Sequence, residues 1–372
     1  MQDYFERNVF EGVPNAQLQL SFAGTFMEMF VDMMGPLVQI LTSRFGLKFV
    51  LVLGGLLMTL GLQMASLTSE IWHLYLSQGI CFGTGASFMF VIAMGILPQW
   101  FNKKRGLATG LASSGSGIGG LVLPFILTAV NDSLGIGWSY RVLGFIILGC
   151  STIACLCLRE RVRTADKTTK LSQIFNFEVL KDLNFVLWVL GSMIGLMGFF
   201  VPYFFLPSYI TYLGMSTGDS ATIIAVLSAA NFVGRITIGY ISDRIGRLNT
   251  DIIFLILAGL SSFLIWTFAY DYQTLMGFAV MFGFCNASYF SLLSPITATI
   301  LGMKRYPTGL SILLLSNAIS VYGPSIASAI QTRVDTEPYL TYKIFTGFVY
   351  VLGGLILIVL KIRMTKSLLS VI

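Results

Sequence analysis

The residues able to do chemistry are few. Arg235, Glu28 and Asp32 are charged and sit inside long apolar runs. A guanidinium offers a planar fork of N–H donors that matches a carboxylate. Asn231 lies four residues before Arg235, one helical turn away on the same face. Glu28 and Asp32 are also four apart. Two acids on one helix face repel each other, which makes the pair a candidate proton carrier. Asn286 and Tyr289, three apart, could form a polar stripe on another helix. Each residue also has a structural reading. Arg235 could close a salt bridge that ties helices together, Asp32 could pair with a neighbouring helix, and Glu28 could lie near the outer surface. Asn231, Asn286 and Tyr289 could serve interhelical packing. Hydrolytic and metal chemistry find no support. His73 is the single histidine, and the five cysteines fall in apolar runs without ligand spacing. No cofactor or metal motif is present, and the chain reads as a non-enzyme.

These residues need elements that can hold charge inside an apolar medium. The chain has 372 residues, 55% hydrophobic and only 11% charged. A soluble protein carries about 25% charged residues, so a soluble globular enzyme, a disordered chain and a coiled coil are excluded. A membrane helix needs about 20 mostly apolar residues. About eleven such runs can be read, among them Leu18–Thr42, Ala221–Ile241, Ile252–Ala269 and Leu275–Leu301. The expectation is an all-α membrane protein. Arg235 then lies about 12 Å from the cytoplasmic end of its helix, against a half-thickness of about 15 Å for the hydrocarbon core. Eighteen of the 23 Lys and Arg fall in one alternate set of loops. That asymmetry puts those loops, and the C-terminal segment after Lys361, in the cytoplasm. The net charge of +6 thus speaks for orientation in a bilayer and not for nucleic acid.

The chain also repeats itself at an offset of about 200 residues. Ser43-Arg44-Phe45-Gly46 lies over Asp243-Arg244-Ile245-Gly246, and Lys104-Arg105 over Lys304-Arg305, each basic pair followed by a Thr-Gly-Leu run. Parallel repeats are a transporter architecture. The expected organisation is an N-terminal helical half (1–158), a cytoplasmic linker (159–184) and a C-terminal helical half (185–372). The second half reads as six spans and the first as five. The repeat therefore predicts that Met1–Val13 is the stub of a first helix that is otherwise missing.

Two segments carry a family resemblance. Trp100–Gly120, WFNKKRGLATGLASSGSGIGG, resembles the start of the fifth helix of monocarboxylate transporters. Asn231–Arg247, NFVGRITIGYISDRIGR, resembles their eighth helix and the loop after it, and its GYISDRIGR part resembles the signature loop of the major facilitator superfamily. The wording is closest to the fungal monocarboxylate-transporter-like branch, which includes a riboflavin carrier. The resemblance implies two six-helix repeats and a secondary active or facilitative transporter, moving a small monocarboxylate-like solute by alternating access. It implies that Arg235 holds the substrate anion. Asn231 stands where proton-coupled members tend to carry an aspartate, and an amide cannot take up a proton. Asn286 and Tyr289 fall on the tenth helix, one of the cavity helices. The repeated loops are implied gates: Asp243, Arg244, Gly246 and Arg247 preserve the pattern, while in the first copy Ser43 replaces the acid beside Arg44, Gly46 and Lys48. The implied partners are a small organic anion, protons and the lipid bilayer, with no nucleic acid. The implied location is the plasma membrane, with the vacuolar membrane as the alternative. A riboflavin or other vitamin carrier, a transport-dead sensor and a truncated paralogue are the competing functions.

Overall fold

A computed structural model of the protein describes residues 16–161, 177–334 and 337–365. Met1–Val13 and most of the linker lie outside the described residues. Every regular element among those described is a helix. Nine helical stretches among them are long and apolar enough to cross a membrane. The fold is the all-α membrane architecture that the composition demands.

The apolar runs are bent where the sequence breaks the backbone ladder. The first is two helices, α1 (Ala16–Met33) and α2 (Gly35–Phe45), separated at Met34 ahead of Pro36. Proline has no N–H and its ring clashes with the preceding turn, so it starts a helix more readily than it continues one. Next come α3 (Leu47–Ala65), α4 (Ile71–Trp100), α5 (Arg105–Leu134) and α6 (Ile136–Cys157). The following run breaks at Gly198 into α7 (Leu183–Met197) and α8 (Phe200–Tyr212). Then follow α9 (Thr217–Ile245) and α10 (Arg247–Leu264). The run expected to begin at Ile252 begins at Arg247 instead, which takes Asp251 into the helix.

Residues Tyr272–Arg333 form a 62-residue helical stretch, about 93 Å if straight, far more than one crossing. It divides into α11 (Tyr272–Cys285), α12 (Ser288–Ser320) and α13 (Gly323–Arg333), and α12 itself turns at Gly302. Gly302 has φ 69°, a left-handed value that glycine adopts without strain. The last helix is α14 (Leu340–Thr365). Asp271 caps α11 by accepting from the hydroxyl and the N–H of Thr274, which hold its carboxyl below the usual range.

The 200-residue repeat is visible in the backbone. Gly46 and Gly246 end α2 and α9 with φ of 85° and 98°, and each N–H returns to the carbonyl four residues back. Each glycine also begins the next helix directly, so the turn has no spare residue.

The chain clusters into two compact units. The first comprises Met1–Gln99, Leu123–Asn176 and Leu310–Ala318. There, Gly79 and Gly83 of α4 let α1 approach, since a Cβ on Gly83 would lie 2.8 Å from the Met27 carbonyl. Leu20, Ala23, Leu62, Ala65, Leu74 and Tyr140 close its core. Ser311 donates to the Gly35 carbonyl at 3.2 Å and tightens the 310–318 segment against α2. The second unit comprises Trp100–Val122, Phe177–Gly309 and Ile319–Ile372. Glycines again set the spacing: a Cβ on Gly353 would meet the Gly191 carbonyl at 2.8 Å, and one on Gly259 the Gly347 carbonyl at 2.9 Å. Small residues that let backbones approach are how membrane helices pack without a hydrophobic driving force.

Candidate functional site

The second unit holds Arg235. It lies on α9 and is 7% exposed. Two close approaches place it. Against α11 and the turn after it, a Cβ on Gly234 would sit 2.5 Å from the Phe284 carbonyl. Against α5, a Cβ on Gly110 would overlap the Arg235 carbonyl oxygen, and one on Gly239 would sit 2.5 Å from the Gly106 carbonyl. Gly106, Gly110 and Gly117 of α5 are therefore a packing surface, while Gly115 and Gly120 of the same run meet open space.

Neutral groups surround the guanidinium. Its Nε donates to Asn231 Oδ1 at 2.8 Å and its Nη1 to the Ser113 carbonyl at 3.0 Å. The Phe290 ring covers it, with the centroid 4.8 Å away. Among the described residues no carboxylate pairs with Arg235 and its Nη2 makes no hydrogen bond. Asn231 is 4% exposed and donates to Asn286 Oδ1 at 2.5 Å. Asn286 sits in the turn between α11 and α12, and its Nδ2 makes no hydrogen bond of normal geometry among the described residues. The Tyr203 hydroxyl stands beside both Asn286 and Arg235. The site is thus a buried cation with a partly satisfied amide pair and an aromatic cover, chemistry that suits a planar anion.

Of the residues singled out from the sequence, Arg235, Asn231 and Asn286 come together. Tyr289 is buried at 5% and its ring meets Phe290 edge-on, so it backs the aromatic wall. Asn286 lies in the turn, off the regular stripe expected with Tyr289. Glu28 and Asp32 are half-buried on α1, in the first unit. Ser113 contributes only a backbone carbonyl, which no side-chain pattern announces. Phe290 is one apolar residue among many until the fold aims it.

The repeated loops differ as their residues do. Asp243 accepts from the N–H groups of Gly106 and Leu107, both at 2.9 Å, and so caps α5. Its carboxylate also pairs with Arg247 at 3.7 Å, and Arg247 donates to the Asn102 carbonyl at 2.9 Å. Arg244 is exposed and lies over the Tyr240 ring. In the first copy Ser43 donates back to the Ile40 carbonyl of its own helix at 2.8 Å. Arg44 and Lys48 are exposed. The residue at the place of Leu107 in the repeat is Pro307, which has no N–H to be capped. Glu160, unremarked in the sequence, instead accepts from the Leu47 N–H at 3.0 Å and caps α3.

The comparisons with known proteins agree with this architecture. The family model described as Major Facilitator Superfamily matches residues 12–320. The MFS transporter asaE of Aspergillus flavus is 32% identical, over 95% of this chain and 79% of that protein. The fujikurins efflux protein of Gibberella fujikuroi is 28% identical, over 98% and 78%. The probable transporter MCH2 of Saccharomyces cerevisiae is 25% identical, over 93% and 74%. Among solved structures, the proton:xylose symporter XylE superposes with a TM-score of 0.77 at 14% identity, covering 99% of this chain and 90% of that one. The Escherichia coli fucose:proton symporter FucP gives 0.75 at 14% identity, covering 92% of each chain. At that identity the two structures speak for the fold alone. With its repeated loops, its helical fold and a family match over most of its length, the chain belongs to the Major Facilitator Superfamily.

Proposed function

We propose that the small solute moved by this transporter is an organic anion of monocarboxylate type, held at Arg235 and passed across the bilayer by alternating access. The observation that carries this reading is the buried guanidinium with neutral partners and a free Nη2. A lone arginine at such a depth costs several kcal/mol unless an anion or a polar cavity meets it. A carboxylate could bind Nη2 and the Asn286 amide together while its body stacks on Phe290 or Tyr203. The relatives named as efflux proteins favour a second reading of direction, export of a larger acidic metabolite from the same site. A riboflavin-type carrier would use the aromatic cover without needing the charge.

The two helical halves, 1–158 and 185–372, are the moving parts in this reading. Asp243 closes the cytoplasmic side by capping α5, and Arg247 holds that cap in place. Gly246 gives the tight turn, and Arg244 faces solvent. Ser43, Arg44, Gly46 and Lys48 form a weaker counterpart without the acid. The protein belongs in the plasma membrane with its C-terminus in the cytoplasm. Proteoliposomes loaded with purified protein test the anion site. Arg235→Lys keeps the charge but loses the fork, and should weaken uptake of labelled carboxylates about ten- to hundredfold. Arg235→Gln should abolish it with the protein still folded, and wild-type uptake by Arg235→Gln would end the reading.

A further inference from the structure

Arg235 is not the only charged residue buried in the second unit, and one of the others, an acid, is not used by the anion site. Asp251, on the second turn of α10, is fully buried, with 0% of its surface exposed. Neither carboxylate oxygen accepts a hydrogen bond of normal geometry among the described residues. No Lys or Arg pairs with it among them. The Ser288 hydroxyl at the start of α12 stands beside it, and the Tyr350 hydroxyl on α14 lies within its electrostatic reach. Tyr350 in turn lies within electrostatic reach of the Cys285 thiol at the end of α11 and the Tyr203 hydroxyl on α8.

An acid in this position cannot stand as a bare anion. An unpaired carboxylate in an apolar interior carries a cost of many kcal/mol, and even inside a bilayer with relaxation about 3 kcal/mol. The site therefore calls for a cation. A hard metal ion needs about six oxygen ligands, and among the described residues no group of three His, Cys, Asp or Glu side chains could hold one. A proton needs one oxygen and no space. We propose that Asp251 is a proton-binding site of this transporter. It supplies the proton-accepting group that the amide of Asn231 cannot be. The proposal does not depend on the solute being an anion.

Infrared difference spectroscopy on the purified, lipid-reconstituted protein tests this without any solute. Spectra are taken between acidic and alkaline buffer, in H2O and in D2O. The wild type should show the C=O stretch of a protonated carboxyl, shifted by D2O. Asp251→Asn should lose that band, and the Glu28→Gln/Asp32→Asn double variant should keep it. Asparagine is the nearest neutral mimic of the protonated acid, so Asp251→Asn should elute as folded protein with a melting midpoint close to wild type. A band that survives Asp251→Asn, or no such band in the wild type, overturns the proposal. So does an Asp251→Asn protein that no longer folds, because a neutral site tolerates the amide and a paired carboxylate does not.

Discussion

At the scale of single residues, charge inside an apolar run was the readable signal. Arg235 announces itself because nothing else in its helix is charged for two turns on either side. Asn231 follows from its spacing of one turn. Asp251 escaped because Arg247 and Asn249 precede it, so the polar stretch reads as loop when it is the first turn of α10. Phe290 and the Ser113 carbonyl could not be read at all, since their roles come from aim and not from type. Asp243 was readable from its loop, and its geometry makes a quantitative prediction. Asparagine in its place keeps one acceptor for the α5 N–H groups and loses the second, together with the pairing to Arg247. The loss of about 1–2 kcal/mol should shift the balance between closed and open cytoplasmic ends roughly tenfold. Uptake by Asp243→Asn should fall several-fold at an unchanged protein level, measured on matched proteoliposomes. Unchanged uptake would show that the cap takes no part in the cycle.

At the scale of elements, length and hydropathy locate helices but not their bends. Pro36 does mark the break between α1 and α2, because its ring forbids continuation. The breaks at Gly198 and Asn286 carry no comparable signal, and the turn at Gly302 is one glycine among 38. Close packing is more legible. The spacing Gly106-xxx-Gly110 reads as a crossing motif, and it faces Gly239 and the Arg235 backbone. Leucine at Gly110 must push α5 away from α9 at a cost of about 1–3 kcal/mol. Gly110→Leu should therefore lower the melting midpoint seen by size-exclusion chromatography after heating. Gly115→Ala and Gly120→Ala meet open space and should leave it unchanged, or raise it slightly through helix propensity. Equal destabilisation by all three would remove the packing argument.

At the scale of the whole molecule, the repeat was the most informative feature of the sequence. It pairs Gly46 with Gly246 in the same left-handed turn. It also pairs two contacts within separate units, Gly35 on Ser311 and Arg235 on Gly110, at nearly the same offset. Orientation rests on the basic loops. A tag placed after Ile372 should be destroyed by protease only when right-side-out vesicles are opened, and cleavage in sealed ones would invert the topology. The substrate is not legible from any of this, because one cluster of Arg, Asn and aromatic groups suits several acids. In the proposed function the solute is recognised through its negative charge at Arg235. The most direct measurement is competition in proteoliposomes: uptake of a labelled carboxylate against unlabelled carboxylates and their isosteric amides. The acids should compete, the amides should not, and the discrimination should vanish in Arg235→Gln. Equal competition by acid and amide in the wild-type protein would contradict it.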